Sequence, residues 1–87
     1  MDERKMKYIK LEKYSSVIIF SAILDHSDFK HFNPISAGFC YINEDEKRVD
    51  CFGKSYSLGL EANVKEDTQA ATRAVFGFDA YLKLINQ

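Results

Sequence analysis

Tryptophan is absent from these 87 residues; proline occurs once, cysteine and histidine twice each, and glycine four times. Two cysteines are too few for the multi-disulfide framework that staples a small secreted scaffold. Two cysteines and two histidines, with no C-x-x-C cluster, also lack zinc-site spacing, so no metal is expected. So few prolines and glycines exclude collagen-like and low-complexity chains. Long hydrophobic runs are missing too: the longest, Val17-Ile18-Ile19-Phe20, falls far short of the roughly 20 residues that cross a bilayer, so no membrane partner is expected. Nothing at the N-terminus has the layout of a signal peptide, which predicts a cytoplasmic protein. Nor does either charge dominate, with 12 Lys and Arg against 13 Asp and Glu and a net charge of −1. Nucleic acid, which needs a basic footprint, is therefore not an expected partner.

What the chain does hold is core material: it is 46% hydrophobic, with seven Phe and five Tyr. A chain of this size buries only about 60–65% of its unfolded surface, which predicts a single small domain over 1–87, helped by self-association. Arg4, Lys5, Lys7, Lys10 and Lys13 outnumber Asp2, Glu3 and Glu12 in the first thirteen residues, which read as a solvated, partly frayed end around a short strand over 7–11.

Residues 16–23 are β-branched, aromatic and continuously apolar, which predicts a central strand buried on both faces. A short helix over about 26–32 follows, with Asp25 or Ser27 as its cap and Pro34 as its stop. From 35 to 60 the apolar period becomes two, predicting a long hairpin of strands 35–43 and 47–60 around the polar connection Asn43–Lys47. Its best register sets Phe39 opposite Phe52, Cys40 opposite Cys51, Ile42 opposite Val49, Gly38 opposite Gly53, Ser36 opposite Ser55 and Ile35 opposite Tyr56. Gly53 is the expected place for a bulge.

That register separates a bulky face (Ile35, Ala37, Phe39, Tyr41, Phe52, Tyr56, Leu58, Leu60) from a small-residue face (Ser36, Gly38, Cys40, Ser55, Ser57, Gly59, with Ile42, Val49 and Cys51). The bulky face is expected to meet the core, and the small one to admit a helix, a second subunit or a ligand. Asn63 with Glu66 predicts a capping box opening a C-terminal helix, whose stripe Val64, Ala71, Val75, Phe78, Leu82 and Ile85 covers the sheet; Gly77 kinks or ends it. The predicted fold is α+β: an antiparallel sheet in two-layer packing with this helix.

No motif in the chain brings chemistry with it. Gly53-Lys54-Ser55 matches the end of a phosphate-binding loop, but Arg48 stands where the earlier glycine is required and a strand follows instead of a helix. Adjacent His26, Ser27 and Asp28 hold the atom types of a nucleophilic relay, yet neighbours on one short helix do not form it among themselves. Cys40 and Cys51 are expected to be free, partly buried thiols, and the acidic residues lack the spacing of a calcium loop. No catalytic residue and no cofactor is predicted.

The expected function is therefore a non-enzymatic interaction module, a homo-oligomer engaging protein through its small-residue sheet face or an exposed sheet edge. The alternative is a small-ligand protein holding a nucleotide-like anion between subunits. The residues for either role are Ser36, Gly38, Lys54, Ser55, Ser57, Gly59 and Arg73, through hydroxyls, close backbone approach and positive charge. An enzyme would require His26 in a pocket within reach of a carboxylate or cysteine.

Overall fold

The computed structural model describes residues 5–11 and 16–86. Strands β1 (Lys5–Leu11), β2 (Ser16–Phe20), β3 (Pro34–Asn43) and β4 (Arg48–Phe52) form an antiparallel sheet in the order β2-β1-β3-β4. β5 (Lys54–Ser55) and β6 (Leu60–Glu61) form a separate small hairpin, and two helices, α1 (Val64–Phe76) and α2 (Phe78–Ile85), follow. This is the predicted α+β class. Among the described residues, no helix is long and apolar enough to cross a membrane. The predicted assignments for residues 1–4, 12–15 and 87 lie outside the described segments.

Phe39 opposes Phe52, Cys40 opposes Cys51 and Ile42 opposes Val49, in the predicted register. The pairing stops there. Gly53 takes φ +79°, a left-handed value that suits glycine, and carries the chain out of the sheet. Residues 47–60 are thus not one strand: Tyr56–Gly59 form a turn, and neither Ser36–Ser55 nor Ile35–Tyr56 is a sheet pair.

The predicted central strand is an edge. β2 closes one side of the sheet and ends at Phe20, while lysine-bearing β1 lies inside, between β2 and β3. β1 tolerates this because Met6, Tyr8 and Lys10 share one face and Lys5, Lys7 and Ile9 the other. Lys7 donates to the Leu24 carbonyl at 2.6 Å, and Lys5 lies 4.6 Å from the Phe39 ring centre. Residues 5–11 are thus an interior strand and not a frayed end.

Along β3 and β4 the two faces separate as predicted, and the small-residue face is the one that admits a helix. α1 lies on the small-residue face, where Tyr8, Cys40, Val49, Cys51 and Ala71 form a buried cluster edged by Val17, Ile19 and Ile42. Small side chains on the sheet let the helix come close enough for its threonines to reach the β4 backbone. The bulky face is only half covered. Ile9, Phe20 and Ala37 pack there with Phe29, Leu58 and Leu60 beneath the 3₁₀ helix His26–Phe32 and the small hairpin, while Tyr41 remains exposed and Phe39 and Phe52 partly so.

Local signals account for the helix ends. Asp25 accepts from the Ser27 N–H at 3.2 Å and Asp28 from the Asp25 N–H at 3.3 Å, a reciprocal cap for the 3₁₀ turn. Asn63 caps α1 through the Glu66 N–H, but the reciprocal acceptor is Asp67, which takes the Asn63 N–H at 3.0 Å; Glu66 faces Lys10 instead. Gly77, at φ +97° and ψ 179°, ends α1 in a conformation reserved for glycine, and α2 starts anew against α1. The predicted stripe is buried at Ala71, whereas Val64 is 57% and Val75 42% exposed; the other buried positions of α1 are Asp67 and Thr72.

Candidate functional site

Seven residues were expected to converge, and they separate into three places. Ser36 and Gly38 lie on the small-residue face of β3, beneath the chain's own structure and not open to a partner. Gly38 admits backbone: a Cβ there would overlap the carbonyl oxygen of Phe52. Its own carbonyl accepts from His26 Nε2 at 2.8 Å. Ser36 lines a cleft with Lys10, Asn63 and Glu66, and its buried hydroxyl has no hydrogen-bond partner.

Lys54, Ser55, Ser57 and Gly59 build the small hairpin. The Ser55 hydroxyl accepts from the Leu58 N–H at 3.2 Å, Ser57 donates to Asp25 at 3.0 Å, and Gly59 supplies the left-handed turn at φ +67°. Ser57 borders a different cleft, with Lys30, Asn33 and Leu58. Lys54 lies over the Tyr56 ring at 5.0 Å. Arg73 stands apart on α1, 5.1 Å from the Phe78 ring and 5.4 Å from that of Tyr81. These serines and glycines satisfy turns and caps, and the two cations are held over aromatic rings on separate elements.

His26 turns inward between Phe20 and Phe39, away from Ser27 and Asp28, so these three form no relay. The Ser27 N–H and then the Ser57 hydroxyl hold the Asp25 carboxyl below the ordinary carboxylate range. Cys40 and Cys51 are free and buried; desolvation pushes the Cys40 thiol up to about 11 and raises Cys51 further. Among the described residues no group of three or more His, Cys, Asp or Glu side chains suits a metal ion.

A buried polar cluster escaped the sequence reading. The Tyr8 hydroxyl donates to Asp67 Oδ2, which also takes the Asn63 N–H, and Lys10 Nζ lies 3.5 Å from both Asp67 Oδ1 and Glu66 Oε1. Burial, then the bond to Asp67, raises the Tyr8 phenol well above its usual range. This cluster ties the start of α1 to β1. The parity of Tyr8 and Lys10 on β1 was legible; the carboxylate they share, Asp67, 59 residues beyond Tyr8, was not.

The second missed feature concerns the sheet edges. The Val49 N–H donates to Thr72 Oγ1 at 2.9 Å and the Cys51 N–H to Thr68 Oγ1 at 3.0 Å. Both amides therefore point away from β3, and α1 seals the β4 edge. Alternation carries this parity across the sheet: Arg48, Asp50 and Phe52 face β3, Gly38 and Cys40 face β1, and Lys7 and Ile9 face Phe20 and Ile18 of β2. Val17 and Ile19 are left pointing outward from β2, and no other described residue bonds to their backbone. That edge carries no charge, proline or bulge; its cover is α1, which packs against β2 as well as β4. Ile23, 90% exposed, follows just beyond it.

No family model matches the chain, and neither the curated proteins nor the solved structures include one similar to it.

Proposed function

We propose that this chain is a non-enzymatic interaction module that self-associates as a homo-oligomer and binds protein. One observation carries the reading: part of the bulky face is left uncovered, and there Tyr41 and Phe52 stack at 5.3 Å and Phe52 and Phe39 at 6.1 Å. The contact surface is thus this aromatic face and not the small-residue face, which the chain's own helix occupies. Two free, buried thiols suit a reducing compartment such as the cytoplasm. A nucleotide-like anion held between subunits has less support, because Ser36, Lys54 and Arg73 stand on three different parts of the fold.

Sedimentation velocity over a wide concentration range tests the reading. The expected result is a reversible shift from monomer to a larger species; a monomer at every concentration overturns it.

A further inference from the structure

We propose that the outward face of α2 pairs with α2 of a second copy of this chain, the two helices running antiparallel about a twofold axis beside Leu82. This rests on the self-association part of the reading above and gives that part a surface of its own, with the aromatic sheet face left to a protein partner.

The burial of α2 is the starting point. Five of its eight residues are large and apolar or aromatic, yet no side chain in it is buried. At about 3.6 residues per turn these residues fall on two sides of the helix. Ala80 and Leu84 lie on one side, lining clefts with Phe76, Thr68 and Arg48 where α2 leans on α1 and β4. Phe78, Leu82 and Ile85, at i, i+4 and i+7, lie on the other. Phe78 is 51% and Ile85 40% exposed, and Leu82 is half-buried. Such a row is the pattern by which one helix anchors on another protein surface.

Charge names the occupant. Asp79 and Lys83 are both exposed and stand one turn apart on the same flank of that row. A parallel pair of helices would set Asp79 beside the partner's Asp79 and Lys83 beside the partner's Lys83. An antiparallel pair centred beside Leu82 sets Leu82 against the partner's Leu82, Phe78 against the partner's Ile85, and Asp79 beside the partner's Lys83. The twofold axis repeats each of these contacts in reverse. A row that carries its own counter-charges is complementary to itself, which favours a second copy over a chain of different sequence. Three apolar residues a side make a small contact, so the pairing is weak and reversible, with dissociation in about the micromolar range.

Charge reversal reads this arrangement directly. Asp79→Lys puts two cations on the flank and Lys83→Asp puts two anions there. Each variant alone sets like charges across the axis, whereas a mixture of the two sets unlike charges at both contacts. Both positions are exposed, and far-UV circular dichroism checks that the fold is kept. Sedimentation velocity is run on wild type, on each variant and on their equimolar mixture. The expected outcome is association about fivefold or more weaker for each variant alone, with wild-type affinity recovered on mixing. Recovery on mixing also excludes misfolding as the cause of the loss. If wild type associates but either variant alone associates as tightly, or the mixture does not recover, the α2 pairing is overturned and self-association stands. If wild type is monomeric at every concentration, both fall.

Discussion

Gly38 on β3 lies so close to Phe52 on β4 that a single methyl group at Gly38 would overlap the Phe52 carbonyl oxygen. The glycine chosen from the sequence as a place for a ligand to approach is a place where the chain approaches itself. Gly38→Ala should therefore destabilise the fold by about 1–3 kcal/mol, the usual cost of overpacking. Urea denaturation measures it, and an unchanged midpoint would contradict the contact.

Thr72→Val keeps the shape of the side chain and removes the acceptor for the Val49 N–H. A buried amide left without a partner costs about 1–3 kcal/mol. In a domain of this size each kcal/mol lowers Tm by about 4–8 °C. Thr72→Ser retains the acceptor and should recover most of the loss. Equal melting of the Val and Ser variants would show that methyl packing, not the cap, is what Thr72 contributes.

Removal of the Tyr8 hydroxyl tests the buried cluster. In Tyr8→Phe the buried Asp67 carboxylate loses a donor, leaving the Asn63 N–H and the more distant Lys10 ammonium. Hydrogen bonds to charged groups are worth about 1.5–3 kcal/mol, so a drop of that size in unfolding free energy is expected. A neutral substitution would be incompatible with the bond.

Alkaline pH should weaken the protein. Burial raises the Cys40 thiol to about 11 and the Cys51 thiol further, and raises the Tyr8 phenol, whereas in the unfolded chain the thiols titrate at their ordinary 9.0. Above that pH the unfolded chain has lost protons that the folded chain keeps. These three groups therefore add no pH dependence below about pH 8 and lower stability as pH rises above it, with a limiting slope of about 1.4 kcal/mol per pH unit for each group. Denaturation midpoints from pH 7 to 10 give the curve, and Cys51→Ala should flatten it. A midpoint that rises with pH would refute the assignment.

Much of the framework was legible wherever the signal is local. Matching residue types across the connection 43–47 set Phe39 against Phe52 and Cys40 against Cys51; Asp25 and Asn63 marked helix starts, and Gly77 marked a stop. What failed depends on distant partners. The run Val17–Phe20 reads as an interior strand by hydropathy alone, yet the interior position goes to β1, because Asp67 and Glu66 compensate Lys10 and the Lys5 and Lys7 ammonium groups reach a ring and a carbonyl. The alternation through Tyr56 and Leu58 mimics a strand, but Gly53 and Gly59 turn the chain there. The close approach of a helix to the small-residue face is legible from its thinness, which brings Thr68 and Thr72 within reach of β4; the incomplete cover of the bulky face is not, because it depends on where the 3₁₀ helix and the small hairpin fold back.

The two threonines of α1 also have a protective consequence. A sheet margin with unbonded amides is a template on which further chains can stack, and such head-to-tail growth leads to filaments. Here the outward amides of β4 are already satisfied from within. Two hydroxyls on one helix thus withdraw that margin from open-ended polymerisation.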